Sequence, residues 1–519
     1  MTSTSHTPDS TDALRGATRA TRSRRGAASA VAAASFLLLA GAGIIAAPAA
    51  QAGVPGGTRA DDRNSDFDGD GYNDVLIGAP DGTVAGKKGA GYVTVQYGAA
   101  NGMGTNASVP GARTAVFSQS TAGVPGTSED YDSFGAAVAT GDLDGDGFDD
   151  AVIGAPGEDV GSTENAGHVT VLYGSKTGLK AQRSASFSSA HPTAGARFGQ
   201  AVTAARFTGA TYGDEIAVLD QSGAQVYTYD QGVLRRTAGI DTTGHPADRV
   251  INPAYLTTGD YDKNGYADLV ISGYTPDADY AQGWSTVFSG GADGLTHLRD
   301  VRGGVSSASG DLNKDGYDDL VVGQSSSQDA EAEGMTGGLV AVYYGSPEGP
   351  ADYEGPGNGP QWWHQNTPGV PGAGEHGDAW GADLSVADVN GDGYADLAVG
   401  APGEDVGTVR DAGAVWVLRG SSAGLTTTGA QSFDQNSPDV PGTAETDDEW
   451  GAQVRLADTD ANGLFDLVAA APSENYSDGV VWVLPAGTRG LVADGSWTYG
   501  GGALGASGSG ARFGAAIDE

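Results

Sequence analysis

From about residue 65 the chain repeats two kinds of short segment. Short apolar runs ending in a turn (VLIGAP at Val75, AVIGAP at Ala151, LAVGAP at Leu397, LVAAAP at Leu467, with LVISG at Leu269 and LVVGQ at Leu320 as weaker copies) recur, and five of the six are followed, after a loop, by a stretch of alternating residues. These are GYVTVQYG, GHVTVLYG, GLVAVYYG, GAVWVLRG and GVVWVLPAG. Period-two alternation of β-branched and aromatic residues bounded by glycine predicts strands, and many short strands at regular spacing predict an all-β fold. The 86 glycines and 22 prolines suit such a fold, because tight strand connections need residues that tolerate positive φ.

Each apolar run is preceded by an acidic nonapeptide: DFDGDGYND at Asp66, DLDGDGFDD at Asp142, DYDKNGYAD at Asp260, DLNKDGYDD at Asp311, DVNGDGYAD at Asp388 and DTDANGLFD at Asp458. A degenerate unit, ARFTGATYGDEIAVLD, lies between the second and third and keeps only the turn and the following strand. Calcium takes six to eight oxygens, and side chains at positions 1, 3, 5 and 9 with the carbonyl of position 7 supply most of them. The predicted ligands of the first loop are Asp66, Asp68, Asp70, the Tyr72 carbonyl and Asp74; of the second, Asp142, Asp144, Asp146, Phe148 and Asp150. They continue as Asp260, Asp262, Asn264, Tyr266 and Asp268, then Asp311, Asn313, Asp315, Tyr317 and Asp319. The last two sets are Asp388, Asn390, Asp392, Tyr394 and Asp396, and Asp458, Asp460, Asn462, Leu464 and Asp466. EF-hands are excluded, since those need a bidentate Glu at position 12 between helices, and here position 12 falls in an apolar strand. An ion-free acidic turn is the alternative, but closely spaced carboxylates without a cation repel one another.

An aromatic-glycine pair stands upstream of several nonapeptides, at Phe134-Gly135, Phe198-Gly199, Trp380-Gly381 and Trp450-Gly451. The recurrence of this pair, the acidic loop and Gly-Ala-Pro in fixed order resembles the FG-GAP repeats of the integrin α-subunit head. That resemblance implies a seven-bladed β-propeller over residues 53–519, in which calcium in the loops stiffens the blades on the face away from the ligand. The fourth and fifth units lack the aromatic-glycine pair and the third lacks the acidic loop. The first nonapeptide has no aromatic-glycine pair before it, whereas Phe513-Gly514 has no nonapeptide after it. The segment 512–519 is therefore expected to complete the first blade and close the ring, leaving no open sheet edge.

Charge and the N-terminal segment add the compartment. Residues 1–52 carry Arg15, Arg19, Arg22, Arg24 and Arg25 ahead of AASAVAAASFLLLAGAGIIAAPAAQA, the pattern of a signal peptide cleaved after Ala52, with a transmembrane anchor as the alternative. The formal net charge of -39 becomes about -42 without that leader, and six calcium ions would bring it to about -30. So acidic a surface disfavours nucleic acid and direct attachment to anionic lipid. No cysteine is present, so disulfides and thiolate chemistry are excluded.

Catalytic motifs are few. The histidines make no HExxH pair, and GQSSSQ at Gly323 is not a nucleophile elbow. Asp494-Gly495-Ser496-Trp497-Thr498 approximates a metal-dependent adhesion motif but sits among β-repeats, and Arg-Gly-Asp does not occur. Glu129, Asp132, Glu158, Asp159, Glu404, Asp405, Glu445 and Asp448 recur in loops and read as turn and solubility residues. Trp362-Trp363 reads as strand packing or as a sugar platform. Three functions remain open: a secreted calcium-binding adhesion or ligand-binding module for extracellular protein or polysaccharide; a secreted hydrolase, glycan- or phosphodiester-directed, with carboxylates at the propeller channel; and an entirely structural spacer or assembly module that self-associates without a ligand.

Overall fold

The computed structural model describes residues 65–103, 113–210, 212–230, 232–242, 251–275, 283–304, 306–325, 336–351 and 359–518. The expected signal peptide, its cleavage site and Glu519 lie outside them. Among the described residues the strands form seven four-stranded antiparallel sheets and one two-stranded ribbon.

Each sheet is a blade that steps outward from the ring axis in chain order. Blade 2 runs Ala137–Gly141, Asp150–Ala155, His168–Leu172 and Ser184–Phe187. Blades 3 to 7 begin with Ala201–Ala205, Asn252–Gly259, Ser306–Gly310, Leu384–Ala387 and Gln453–Ala457. These first strands touch their neighbours in turn round the axis. Blade 1 begins differently, because its three N-terminal strands, Val75–Ala79, Tyr92–Gln96 and Thr114–Phe117, take their innermost partner from the C-terminus. Ala516–Ile517 pairs with Gly78 and Ile77, and also touches the first strands of blades 2 and 7. The ring is thus closed as the unpaired aromatic-glycine motif predicts.

The blades pack face to face, which is why the second strands read as unbroken apolar runs rather than alternating ones. The buried apolar residues fall into seven clusters, each uniting two adjacent blades. The aromatic-glycine pairs join the blades at these seams. Phe134, Phe198, Trp380, Trp450 and Phe513 are fully buried, and each donates its backbone N–H to a carbonyl of the preceding blade. The following glycine donates to the second strand of its own blade, as Gly135 does to Gly154 at 2.9 Å. Gly135 adopts φ +89°, and a Cβ on Gly78 would stand 2.0 Å from the Gly135 carbonyl oxygen. Glycine in both motifs is therefore a requirement of close backbone approach between blades. Blade 5 shows that the aromatic ring is dispensable: Gly303 donates to Gly283 and Gly304 to Gly323, both at 3.0 Å, in the same pattern.

Antiparallel topology sorts the loops. Connections from first to second and third to fourth strands emerge on one face of the ring; those from second to third, and from each blade to the next, emerge on the other. The nonapeptides belong to the first group.

Candidate cation loops

All six nonapeptides fold on one hydrogen-bond scaffold. The carboxylate at position 1 accepts the backbone N–H of positions 5 and 6, at 2.6–3.3 Å, which draws the chain into a tight turn around it. Position 5 (Asp70, Asp146, Asn264, Asp315, Asp392, Asn462) accepts the N–H of position 7. Position 9 begins the second strand in five loops, stands just before it at Asp74 in the first, and joins the loop to its blade. One of its oxygens accepts from position 2, through the backbone N–H in five loops and the Thr459 hydroxyl in the sixth. The other accepts the N–H of Gly98, Gly174, Gly290, Gly345, Gly420 or Ala486, just beyond the third strand.

This scaffold concentrates negative charge. Single carboxylate oxygens of Asp66, Asp68 and Asp74 lie within 4.8 Å of one another, as do those of Asp142, Asp144 and Asp146. Burial, followed by repulsion from loop neighbours, pushes the Asp70 carboxyl up to about 6. Burial is also the leading cause that lifts Asp142 to about 6, and Asp268, Asp319 and Asp466 to about 7. Asp74 and Asp150 are driven well above the carboxylate range by burial, with smaller contributions from the other acids of their loops. Position 3 gives the sharpest observation: Asp68 Oδ1 and Asp144 Oδ1 are buried with no hydrogen-bond partner. Their other oxygens are met by Arg113 at 2.7 Å and Arg183 at 2.8 Å from the outer strand side. Oxygen-only donors, crowded acids with raised pKa values and buried carboxylate oxygens lacking a partner all fit a hard divalent cation. The fifth of these loops differs, since Asp396 is paired at 2.8 Å with Arg419, and both are buried.

The loops are also joined to one another, which the sequence pattern did not signal. The N–H of position 8 donates to the carbonyl of position 1 in the preceding blade, and this link recurs at all seven seams at 2.8–3.3 Å, with Arg206 standing at position 1 of the degenerate unit. In four seams the position-8 side chain adds a second link. Asn73 accepts the N–H of Asp458, Asp149 that of Asp66, Asp214 that of Asp142 and Asp318 that of Asp260. The position-7 side chain covers the neighbouring loop too: the Phe148 ring lies against Gly69, while Lys263 and Lys314 lie over Tyr317 and Tyr394.

Other candidates resolve as scaffold. Asp159 and Asp405 accept the N–H of Asn165 and Asp411 at 2.8 and 2.9 Å, so both are turn residues. Trp497–Tyr499 is the outer strand of blade 7, with Ser496 donating to the Asp439 carbonyl, which places Asp494-Gly495-Ser496 in a strand connection. Gln361–Trp363 is the outer strand of blade 5, with Trp363 buried. His168 Nδ1 lies 2.8 Å from Ser188 Oγ, a pair not evident in the sequence, but burial lowers this imidazole to about 4. The channel on the ring axis has a volume of about 690 Å³ and is lined mostly by small Ala, Val, Thr and Ser side chains, with Tyr255, Phe465, Gln200 and Gln453 among the larger ones and Asp260, Asp311, Asp318 and Arg455 as its charged residues among those described. Among the described residues no helix is long and apolar enough to cross a membrane.

A family model for the FG-GAP repeat matches residues 64–95, 134–172, 303–337 and 380–418, which fall on blades 1, 2, 5 and 6. Phosphatidylinositol-glycan-specific phospholipase D of Rattus norvegicus is 33% identical over 172 residues, 32% of this chain and 18% of that protein. Integrin alpha-6 of Homo sapiens is 33% identical over 129 residues, 25% of this chain and 10% of that protein. Integrin alpha-4 of Xenopus laevis is 31% identical over 117 residues, 22% of this chain and 10% of that protein. The matched regions thus span less than a fifth of each of these relatives. With repeats of this kind closing a ring of seven blades, the chain is an FG-GAP repeat protein resembling the integrin α-subunit propeller.

Proposed function

We propose that this chain is an exported propeller stiffened by calcium, acting as an adhesion or ligand-binding module for an extracellular protein or polysaccharide. Residues 1–52 serve as its signal peptide and residues 53–519 as the working ring. The six nonapeptides each hold one ion through positions 1, 3, 5 and 9 and the position-7 carbonyl. The observation that carries this reading is the loop scaffold repeated six times, in which Asp68 and Asp144 each keep one buried carboxylate oxygen without a hydrogen-bond partner while an arginine meets the other. An ion there supplies positive charge to crowded acids; the chain's own part is to orient the carboxylates through the N–H groups of each loop. Because the loops are linked from blade to blade, stiffening one loop restrains the next. A rigid ring then presents the loops of the opposite face for binding, the arrangement by which propellers serve as recognition scaffolds.

The relatives' names include both a phospholipase and integrins, and the shared segment is a small part of each. That distribution supports a scaffold role for the repeats. A hydrolase at the channel would draw on Asp260 and Asp311, which are position-1 residues engaged in the loop scaffold, or on Asp318, which accepts the Asp260 N–H. The Ser188–His168 pair suits it no better, since an imidazole titrating near 4 is a weak base at neutral pH. The experiment is a binding panel of matrix proteins and polysaccharides probed with the purified chain in calcium and in chelator. Calcium-dependent capture of at least one ligand class is expected; hydrolysis of a panel glycan without stable capture would overturn the reading.

A further inference from the structure

The face opposite the nonapeptides carries a second repeated constellation. Where blade 1 passes to blade 2, Gln119 Nε2 donates to Glu158 Oε2 at 2.6 Å, and Asp132 stands beside them. The same trio is Gln365, Glu404 and Asp378 between blades 5 and 6, where the amide-carboxylate distance is 2.7 Å. Between blades 6 and 7 it is Gln435, Glu474 and Asp448, at 2.8 Å. In each, the glutamine follows the outer strand of one blade, the aspartate precedes the aromatic-glycine pair, and the glutamate follows the second strand of the next blade.

Two features set these trios apart from ordinary acidic turns. The glutamines are only 3%, 1% and 1% exposed, and Oε1 of all three has no hydrogen-bond partner. The oxygens also converge: a Cβ built on Gly337 would lie 2.7 Å from the Glu375 carbonyl, 3.0 Å from Asp378 Oδ2 and 3.1 Å from Gln365 Oε1. At this seam an aspartate carboxylate, an amide oxygen and a carbonyl oxygen face one space, with the Glu404 carboxylate held at the other end of the same amide, and such oxygen-only donors suit a hard cation. We propose that the three trios are calcium sites of a second kind, each binding one ion that joins adjacent blades on the face opposite the nonapeptides. Electrostatics agrees with this placement. Burial first, with repulsion from the partner aspartate behind it, raises Glu158, Glu404 and Glu474 to about 7, and in the second and third trios a side-chain hydrogen bond from that aspartate adds to the rise.

The test counts ions. The full chain and the triple variant Glu158→Gln, Glu404→Gln, Glu474→Gln are dialysed against about 1 mM calcium, where weak extracellular-type sites fill, and bound metal is measured per chain. The variant is expected to hold three fewer ions with unchanged circular dichroism. Because the readout is a difference, it holds whatever the occupancy of the nonapeptides; if those bind nothing, the parent holds three ions and the variant none. Equal counts would overturn the proposal. So would equal counts together with a variant that loses pH-dependent stability, the behaviour of carboxyls that share a proton. Should the triple variant fail to fold, Glu404→Gln alone is used with terbium luminescence excited through tryptophan. Trp380 follows Asp378 by two residues, about 7 Å of chain, while the nonapeptide loops lie roughly 17–20 Å away along the strands. A clear drop in that luminescence is expected, and an unchanged signal overturns the site.

Discussion

Removing residues 512–519 tests ring closure, and the structure allows the loss to be sized. Phe513 is fully buried in the cluster shared by blades 1 and 7, and truncating such a ring costs about 3–5 kcal/mol. Ile517 and Ala516 are nearly as buried, and their loss adds about 2–3 kcal/mol. Gly514 donates to the Gly78 carbonyl at 3.0 Å, and the Asp518 N–H donates to Leu76 at 3.1 Å. The Asp518 carboxylate accepts the Ser65 hydroxyl at 2.6 Å and the Leu76 N–H at 2.9 Å. At roughly 1 kcal/mol each, these four bonds bring the total to about 9–12 kcal/mol. That is comparable with the whole stability of a typical domain, about 5–15 kcal/mol. The truncated chain should therefore open along the inner edge of Val75–Ala79, which also exposes an unpaired strand to self-association. Denaturant unfolding followed by circular dichroism, with light scattering for association, is the assay. A truncated chain that unfolds at the parent's midpoint and stays monomeric would refute closure by the C-terminal strand.

Other outcomes follow from the same contacts. Gly400→Ala places a Cβ 2.0 Å from the Gly451 carbonyl oxygen, a backbone clash between blades 6 and 7, and should cost about 1–3 kcal/mol in chemical denaturation. Arg419→Ala leaves Asp396 buried without its partner and should cost about 3–5 kcal/mol in chelator, with a smaller loss in calcium if an ion compensates. Stability in chelator should fall as pH rises from about 4 to about 7: Asp268, Asp319 and Asp466 titrate near 7 when folded and near 4 when unfolded, so the native state holds the extra protons. The stabilisation by calcium should accordingly grow between pH 5 and 7.5, because bound metal requires ionised carboxylates. Thermal melts across that range check both statements.

Much of this architecture was legible in sequence because it repeats. The nonapeptides mark one connection per blade, so six of the seven blades are visible from charge alone, and blade 3 survives in the pattern through Glu215–Asp220 and its turn. Closure was legible because a motif was split between the chain ends. Blade-to-blade chemistry was not. Position 8 holds Asn73, Asp149, Asp214 or Asp318 where the loops are joined by side chains, but Ala267, Ala395 or Phe465 elsewhere, since the backbone N–H alone makes the recurring link. The Gly303-Gly304 seam carries no aromatic residue to mark it. Gln119, Gln365 and Gln435 escaped notice because each trio draws on two blades and one member is uncharged. Only the topology brings glutamine, aspartate and glutamate together.

The central claim is that calcium in the nonapeptide loops holds the ring together. At about 1 mM free calcium, loops with Kd of roughly 10⁻⁴–10⁻³ M would each contribute about 0.4–1.4 kcal/mol, so six add about 2–8 kcal/mol. The direct measurement is calcium titration calorimetry on the purified chain, with the melting temperature recorded at each concentration and in chelator. The account predicts saturable binding of at least six ions and a melting temperature that climbs with occupancy. A chain that binds no calcium, or binds it without any change in melting temperature, would contradict it.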